Sequence, residues 1–230
     1  MLLPVPDGGL VHNLHDGPDA PDAIVAGRRA ADAARRIVAG LTASGADPAT
    51  LDEVAAGLEA IAEVLAPHAA TTRFPATGLH GGVQADTRVW ESHPFIGPGH
   101  PLAPPIRIVR DGDRAVGSAT FGHVYEGPPG CLHGGIVAAM FDMVLGAAAS
   151  FGQRPTLTGT LSVRYRRPTP LGEPIRFVGW IDREEERKTI TKGESWCGDE
   201  LLAESEAIFV VIDTVRYDAP TAPDTTPDAS

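Results

Sequence analysis

Apolar side chains recur at helical spacing in the N-terminal third of the chain. Within residues 22–44 the positions on this spacing are Ile24, Ala31, Ala34, Ile37, Val38 and Leu41. The pair Asp47-Pro48 then has the cap-then-proline order that begins a helix, and the pattern reaches about Ala66, just before Pro67. We therefore predict a helical hairpin. It follows a loose arm over residues 1–21, which are rich in Pro, Gly and Asp.

The C-terminal half carries strand patterns around one strongly apolar helix. Residues 106–110 and 115–121 flank the turn signature Asp111-Gly112-Asp113-Arg114, which predicts a β-hairpin. Residues 133–150 predict a helix that is apolar on nearly all sides. Strand-like runs follow at 157–166, 174–183, 187–197 and 201–213. A helix of this kind must be covered on every side, so we predict an α+β fold in which a curled antiparallel sheet wraps around a central helix.

Three stretches lack a regular pattern. Residues 68–104 hold many Gly, Pro and His residues and predict a long irregular segment, of a kind that is often functional. Residues 122–132 predict a Gly/Pro loop, and the tail from Asp218 is predicted to be disordered.

Composition and charge narrow the possible functions. The 230-residue chain is 43% hydrophobic, which allows a substantial core, and its formal net charge of -11 argues against a nucleic-acid partner. Two cysteines, Cys131 and Cys197, are too few for a disulfide framework, and we see no signal-peptide pattern, so we expect a cytoplasmic protein. The longest apolar run, near residues 134–151, contains Asp142, so we expect no membrane span.

A Gly/Pro loop runs directly into the apolar helix through His133-Gly134-Gly135. Glycines at this position leave backbone N–H groups uncrowded at the positive end of the helix, which can hold an oxyanion or polarise a carbonyl. The alternative is that the glycines only permit a tight turn, because His-Gly-Gly alone is a weak motif.

Asp142 is the only charged residue between His133 and Arg154, and no cation lies three or four positions from it. A carboxylate in an apolar setting is costly unless it is paired or functional. The alternative is a carboxylate at a subunit seam that only accepts hydrogen bonds. Asp142 follows His133 by nine positions, which is about 13 Å along a helix axis. If both groups act on one substrate, the second must come from another copy of the chain.

The run after the helix alternates strictly between two faces. One face carries Thr158, Thr160, Ser162, Arg164 and Arg166, and the other carries Leu157, Leu161, Val163 and Tyr165. We expect the apolar face to cover the helix. The two arginines suit phosphates, although a solvated sheet face is the common meaning of such alternation. Arg187-Lys188 follows Glu184-Glu185-Glu186 and either extends an anion site or pairs with those glutamates.

The stretch from about Ile106 to Asp213 resembles the hotdog-fold thioesterase superfamily, in the branch of the phenylacetyl-CoA thioesterases and the mammalian thioesterase-superfamily-member proteins. The resemblance is carried by GPPGCLHGGIVAAMFD, TGTLSVRYRRPTPLGEPI, the Arg-Lys turn and a last strand ending EAIFVVI. One departure is that many members carry an Asn or Gln shortly before the motif histidine, where this chain has Gly127-Pro128-Pro129.

The resemblance implies a hotdog fold with an N-terminal helical extension and the hydrolysis of acyl-CoA thioesters in lipid metabolism. Asp142 corresponds to the catalytic acid, Gly134 to the donor of the polarising N–H, His133 to the motif histidine and Thr158 to the helper hydroxyl. The positions that correspond to substrate or coenzyme A contacts are Gly135, Arg164, Arg166, Arg187 and Lys188. The implied assembly is a homodimer, or a dimer of dimers, whose sheets join edge to edge.

This assignment divides the chain into an arm and helical hairpin (1–75), a hotdog thioesterase domain (76–216) and a tail (217–230). Two alternatives stay open: a non-catalytic acyl-CoA binding module, and an enoyl-CoA hydratase or dehydratase, for which the histidines of residues 93–101 are the candidate. His12 and His15 have metal-compatible spacing, but no cluster completes four ligands, so we expect neither a metal nor a cofactor.

Overall fold

The computed structural model of the chain describes residues 20–69, 90–152 and 154–212. Its helices are α1 (Asp22–Thr42), α2 (Pro48–Leu65) and α3 (Gly134–Ala149). Its strands are β1 (Arg107–Asp111), β2 (Arg114–Thr120), β3 (Thr156–Tyr165), β4 (Pro174–Glu184), β5 (Lys188–Cys197) and β6 (Glu200–Val211). The predicted order of elements is confirmed. The predictions for the N-terminal arm, apart from its last two residues, and for the C-terminal tail fall outside the described residues.

All six strands form one antiparallel sheet in the order β1-β2-β4-β5-β6-β3. The predicted hairpin between β1 and β2 turns at Gly112, whose φ of 60° suits a residue without a side chain. Because β3 pairs only with β6 among the described strands, it forms one edge of the sheet. This is the hotdog architecture that the resemblance implies.

The sheet encloses α3, which explains why this helix is apolar on nearly every side. Met140, Phe141, Val144 and Leu145 are fully buried, and α3 contacts β2, β3, β4, β5 and β6. The segment Gly134–Gly152 is also long and apolar enough to cross a membrane by length and composition alone. In this fold, however, its apolar side chains supply the core of the sheet.

The N-terminal hairpin is joined to the irregular segment through α1. Asp47 accepts a hydrogen bond at 2.9 Å from the Thr50 N–H, which confirms the predicted start of α2. In α1, Arg28 forms a two-pronged ion pair with Glu91, whose side chain is largely buried. Arg35 donates to two backbone carbonyls of residues 98–100, each at 2.7 Å. These contacts fix α1 to the described part of the irregular segment; residues 70–89 of that segment fall outside the described ranges.

Candidate active site

The N-terminus of α3 leaves one predicted donor available. His133 is the N-cap residue, and its Nδ1 accepts the Gly135 N–H at 3.0 Å. Its carbonyl accepts the N–H groups of Ile136 and Val137 at 2.9 and 3.2 Å. The Gly134 N–H has no hydrogen-bond partner among the described residues. The helix therefore presents the Gly134 N–H, whereas the substrate contact predicted for Gly135 cannot use its N–H, because His133 occupies it.

The loop before the helix is tightly packed at Gly127, one of the residues at which the chain departs from the family motif. A Cβ atom at Gly127 would lie 2.8 Å from the Cα of His133, closer than atoms can pack. The Gly127 N–H donates to the Cys131 carbonyl at 2.9 Å, which closes the loop on itself. The loop backbone therefore lies against the cap histidine, and a residue with a side chain does not fit at position 127.

Asp142 lies half-buried in the middle of α3. The Thr158 hydroxyl donates to its Oδ1 at 2.8 Å, within one chain. No Lys, Arg or His among the described residues forms an ion pair with this carboxylate. Asp142 and Thr158 are therefore brought together, and the carboxylate keeps its second oxygen for another partner.

The prediction of strict alternation along β3 is wrong at Gly159. The pairing of β3 with β6 shifts register there, because Thr158 lies opposite Phe209 whereas Thr160 lies opposite the adjacent Ile208. Gly159 is the extra residue of a β-bulge. A side chain would not fit, since its Cβ would lie 2.9 Å from Val210 Cγ2.

Because of the bulge, the residues before Gly159 point to the opposite faces of the sheet from those that strict alternation predicts. Thr158 points to α3, together with Leu161, Val163 and Tyr165. Leu157, predicted to cover the helix, is 41% exposed instead. The hydroxyl that the resemblance assigns to Asp142 reaches it only because Gly159 shifts the phase of the strand.

Tyr165 was predicted only as part of the apolar face. Its hydroxyl donates to the Gly134 carbonyl at 2.7 Å, and its ring lies 3.5 Å from where a Gly134 Cβ would be. The available signal was its type and position: a tyrosine that ends the helix-facing row of a strand has a polar tip that needs a partner.

Gly134 and Asp142 cannot serve one thioester within one chain. They lie eight positions apart on α3, which is about 12 Å along the helix axis. The strand that supports both, β3, is at the edge of the sheet. Within one chain the two candidate groups therefore lie too far apart to act on the same thioester.

The predicted basic residues lie in two separate places. Arg166 forms an ion pair with Glu204, with 2.5 Å between Nε and Oε2, and Arg164 lies opposite Glu204 in the sheet. Lys188 aligns through Val210 of β6 with Leu157, at the other end of β3. More than about 20 Å of strand separates the two groups. A single chain does not form the combined anion site that the sequence suggested.

Arg187 and Lys188 do not pair with the neighbouring glutamates, so that alternative is wrong. Both are exposed, and neither forms an ion pair within the described part of the chain. The acidic turn is held by Arg154, whose Nη1 donates to the Glu185 carbonyl at 2.8 Å and whose Nη2 donates to Glu184 Oε1 at 3.0 Å. The charges of Arg187 and Lys188 are therefore free to meet an anion.

The described histidines outside the helix start do not belong to a cluster that could hold a metal. In the described residues no three His, Cys, Asp or Glu side chains converge on a point where a metal could bind. His12 and His15 lie outside the described residues. Nδ1 of His93 and Nδ1 of His100 each accept a backbone N–H two residues later, at 3.2 Å. These histidines shape their own turns in the segment that contacts α1.

Comparison with known proteins gives consistent matches. A family model described as thioesterase superfamily matches residues 129–204. A solved structure described as a thioesterase superfamily protein is 33% identical, with a TM-score of 0.74, over 89% of this chain and 97% of that one.

Two curated relatives carry an enzyme name. The acyl-coenzyme A thioesterase THEM4 of Xenopus laevis is 34% identical over 91 residues, which are 40% of this chain and 41% of that protein. The protein of the same name from Bos taurus is 31% identical over 94 residues, which are 40% and 38% of the two chains. The matched region thus spans about two fifths of the length of these curated relatives.

Proposed function

This chain belongs to the thioesterase superfamily, and from that premise we propose that it hydrolyses acyl-CoA thioesters to the free acid and coenzyme A. The observation that carries the proposal is that α3 presents two groups, a Gly134 N–H with no partner among the described residues and the Asp142 carboxylate, which accepts a hydrogen bond from Thr158. Thioester hydrolysis needs both, since one polarises the carbonyl and the other activates a nucleophile.

In the proposed reaction the thioester carbonyl oxygen accepts the Gly134 N–H at the positive end of α3, where developing negative charge is stabilised. The Asp142 carboxylate either takes a proton from an attacking water or attacks the carbonyl carbon itself. The C–S bond then breaks and coenzyme A leaves as a thiolate, a good leaving group that needs no obligatory general acid. Direct attack leaves a mixed anhydride between the acyl group and Asp142, which water then hydrolyses to the free acid and the original carboxylate. If that water attacks the Asp142 carboxyl carbon, a single turnover transfers solvent ¹⁸O into Asp142, whereas activation of water by the carboxylate never labels this side chain, so label in Asp142 establishes direct attack.

We further propose that two protomers join through β3 and share each site. Their sheets would continue antiparallel across the exposed edge, which otherwise presents unpaired backbone groups. The separation of about 12 Å between Gly134 and Asp142 is then no obstacle, because one protomer supplies Gly134 and its partner supplies Asp142. The same pairing would support coenzyme A binding. It would bring the Arg164 end of β3 in one protomer beside the Leu157 end of β3 in its partner, which is the end nearer to Arg187 and Lys188.

The test of the reaction is an acyl-CoA panel from acetyl to palmitoyl, with phenylacetyl-CoA included, in which released thiol is measured. Cys131 and Cys197 are free and partly accessible, so the protein without substrate supplies the thiol blank. We expect hydrolysis of at least one member above this blank. A folded protein that releases no thiol from any member contradicts the proposal.

The test of the shared site mixes two inactive variants. Gly134→Pro removes the polarising N–H at a first-turn position where proline is tolerated, and Asp142→Asn removes the carboxylate. In a mixed dimer one site carries both defects and the other carries neither, so activity should return to about half the wild-type value per heterodimer. If mass analysis confirms subunit exchange and no activity returns, the shared site is wrong.

A non-catalytic acyl-CoA binding module is the second candidate, and one observation favours it. The Asn or Gln that many members carry before the motif histidine is absent, since this chain has Gly127-Pro128-Pro129 there and leaves no room for a side chain at Gly127. This reading predicts stoichiometric binding of acyl-CoA, measured by calorimetry, with no turnover. Hydrolysis in the panel assay excludes it.

A further inference from the structure

Tyr165 contacts Gly134, the residue that carries the available N–H, and the family resemblance implies no role for this tyrosine. Its hydroxyl donates to the Gly134 carbonyl at 2.7 Å from β3, and the side chain is 52% exposed in the isolated chain. The core therefore gains little from this side chain. The contact joins the edge strand to the first residue of α3.

Gly134 needs such support because it is followed by another glycine at the start of a helix. Glycine has the largest conformational freedom of any residue, and each glycine in a helix is less favourable than alanine. The peptide group that carries the Gly134 N–H is held only at its carbonyl end, where the His133 oxygen accepts the Ile136 and Val137 N–H groups. An N–H that polarises a carbonyl must be aimed before the reaction begins.

The peptide group after Gly134 is held at both of its polar atoms. Tyr165 donates to the Gly134 carbonyl, and the Gly135 N–H of the same peptide group donates to His133 Nδ1 at 3.0 Å. Hydrogen bonds in such a chain polarise and strengthen one another. The Gly135 donation also leaves Nε2 as the protonated nitrogen of a neutral His133.

We propose that Tyr165 is the positioning residue for the Gly134 donor: its hydroxyl, acting through the Gly134–Gly135 peptide and His133, fixes the direction of the Gly134 N–H for the thioester oxygen. This inference rests on the proposed function. The expected effect belongs to the chemical step, because Tyr165 itself need not touch the substrate.

The test compares Tyr165→Phe with a matched control, Tyr125→Phe. Both variants keep the ring and lose one hydroxyl that donates to a backbone carbonyl, which for Tyr125 is Leu102, at 3.3 Å. With the best substrate of the acyl-CoA panel, Tyr165→Phe should lower kcat about threefold to tenfold, the scale of one neutral hydrogen bond. KM should stay within about twofold, since the hydroxyl aims the donor and does not bind coenzyme A. Tyr125→Phe should leave both constants near wild type.

A second readout does not depend on turnover. In protein labelled with [¹⁵N]glycine, the Gly134 and Gly135 amide signals are identified by their loss in Gly134→Ala and Gly135→Ala. Both signals should move in Tyr165→Phe, where the aromatic ring remains, and stay in place in Tyr125→Phe.

The outcomes separate the two proposals. An unchanged kcat, or amide signals that stay in place, overturns the role of Tyr165. A fall in kcat together with a rise in KM and a lower thermal stability also overturns it, because the hydroxyl would then only stabilise the fold. If the wild type hydrolyses no thioester, the proposed function fails, and the amide signals alone decide whether Tyr165 holds Gly134.

Discussion

The bulge at Gly159 gives a sharp test of how the site is built, through the substitution Gly159→Ala. The added Cβ would lie 2.9 Å from Val210 Cγ2 and 3.4 Å from the Ile208 carbonyl oxygen. Gly159 is not one of the positive-φ glycines of the described chain, so the constraint is this contact and not the backbone conformation. Val210 is β-branched and stiff, so we expect the strand to lose the bulge and Thr158 to turn away from α3.

The magnitude follows from the contact that would be lost. Thr158 donates to the Asp142 carboxylate at 2.8 Å, and a hydrogen bond to a charged group contributes about 1.5–3 kcal/mol. About 1.4 kcal/mol corresponds to a tenfold change in rate. We therefore expect Gly159→Ala to lower kcat about tenfold to a hundredfold. Thr158→Val should match it, and Thr158→Ser should stay within a few-fold of wild type.

The assay is steady-state hydrolysis of the best acyl-CoA, with a rescue and a control. The double variant Gly159→Ala/Val210→Ala removes the 2.9 Å contact and leaves the ordinary one at 3.4 Å, so activity should return. Gly57→Ala is the matched control, since nothing lies within 4 Å of a Cβ there. Wild-type kcat in Gly159→Ala, with a clear loss in Thr158→Val, would show that the bulge does not aim the hydroxyl.

Three further predictions concern chemistry, binding and stability. Asp142→Asn should lower hydrolysis at least about a hundredfold, the scale of losing a general base, with the elution volume unchanged in size-exclusion chromatography. Arg187→Ala/Lys188→Ala should raise KM for acyl-CoA at least about tenfold, the scale of a charge-assisted hydrogen bond, but leave hydrolysis of an S-acyl-N-acetylcysteamine unchanged; equal losses on both substrates would indicate a structural role. The hydrogen bonds from Thr50 lower the pKa of Asp47 below its ordinary 3.8. The carboxylate therefore stabilises α2 above that pH and loses this effect as the pH falls through the lowered pKa. Circular dichroism should show Asp47→Ala, which removes the capping oxygen, reducing helicity more at pH 7 than in strong acid.

Most of the fold could be predicted because its signals are local. The cap-then-proline pair at Asp47-Pro48, the turn at Gly112 and the apolar helix around Met140 each act within a few residues. A helix that is buried on every side requires a covering sheet, so the architecture followed from one element.

The candidate site was predicted less completely, because its contacts depend on tertiary pairing. The strand pattern placed Thr158 on the wrong face, since a bulge depends on the partner strand as well as on the strand itself. Gly159 within a strand was the local signal for a bulge. The sequence gives no local sign of the hydrogen bond that occupies the Gly135 N–H or of the Arg166–Glu204 ion pair. In both cases the folded backbone decides which groups meet.

The two hydroxyls on β3 give the edge strand a larger part in the site than the resemblance assigned to it. Thr158 donates to the Asp142 carboxylate and Tyr165 donates to the Gly134 carbonyl, so one strand contacts both candidate catalytic positions of α3. Among the described strands, none lies on the outer side of β3. Edge strands are less protected than central ones from local opening. Pairing of β3 with a second copy would therefore complete each site and also hold both supporting hydroxyls in place. A variant that weakens the pairing of β3 with the second copy should therefore lower kcat even in those dimers that still form. In such dimers both the Asp142 carboxylate and the Gly134 N–H would be held less firmly in position.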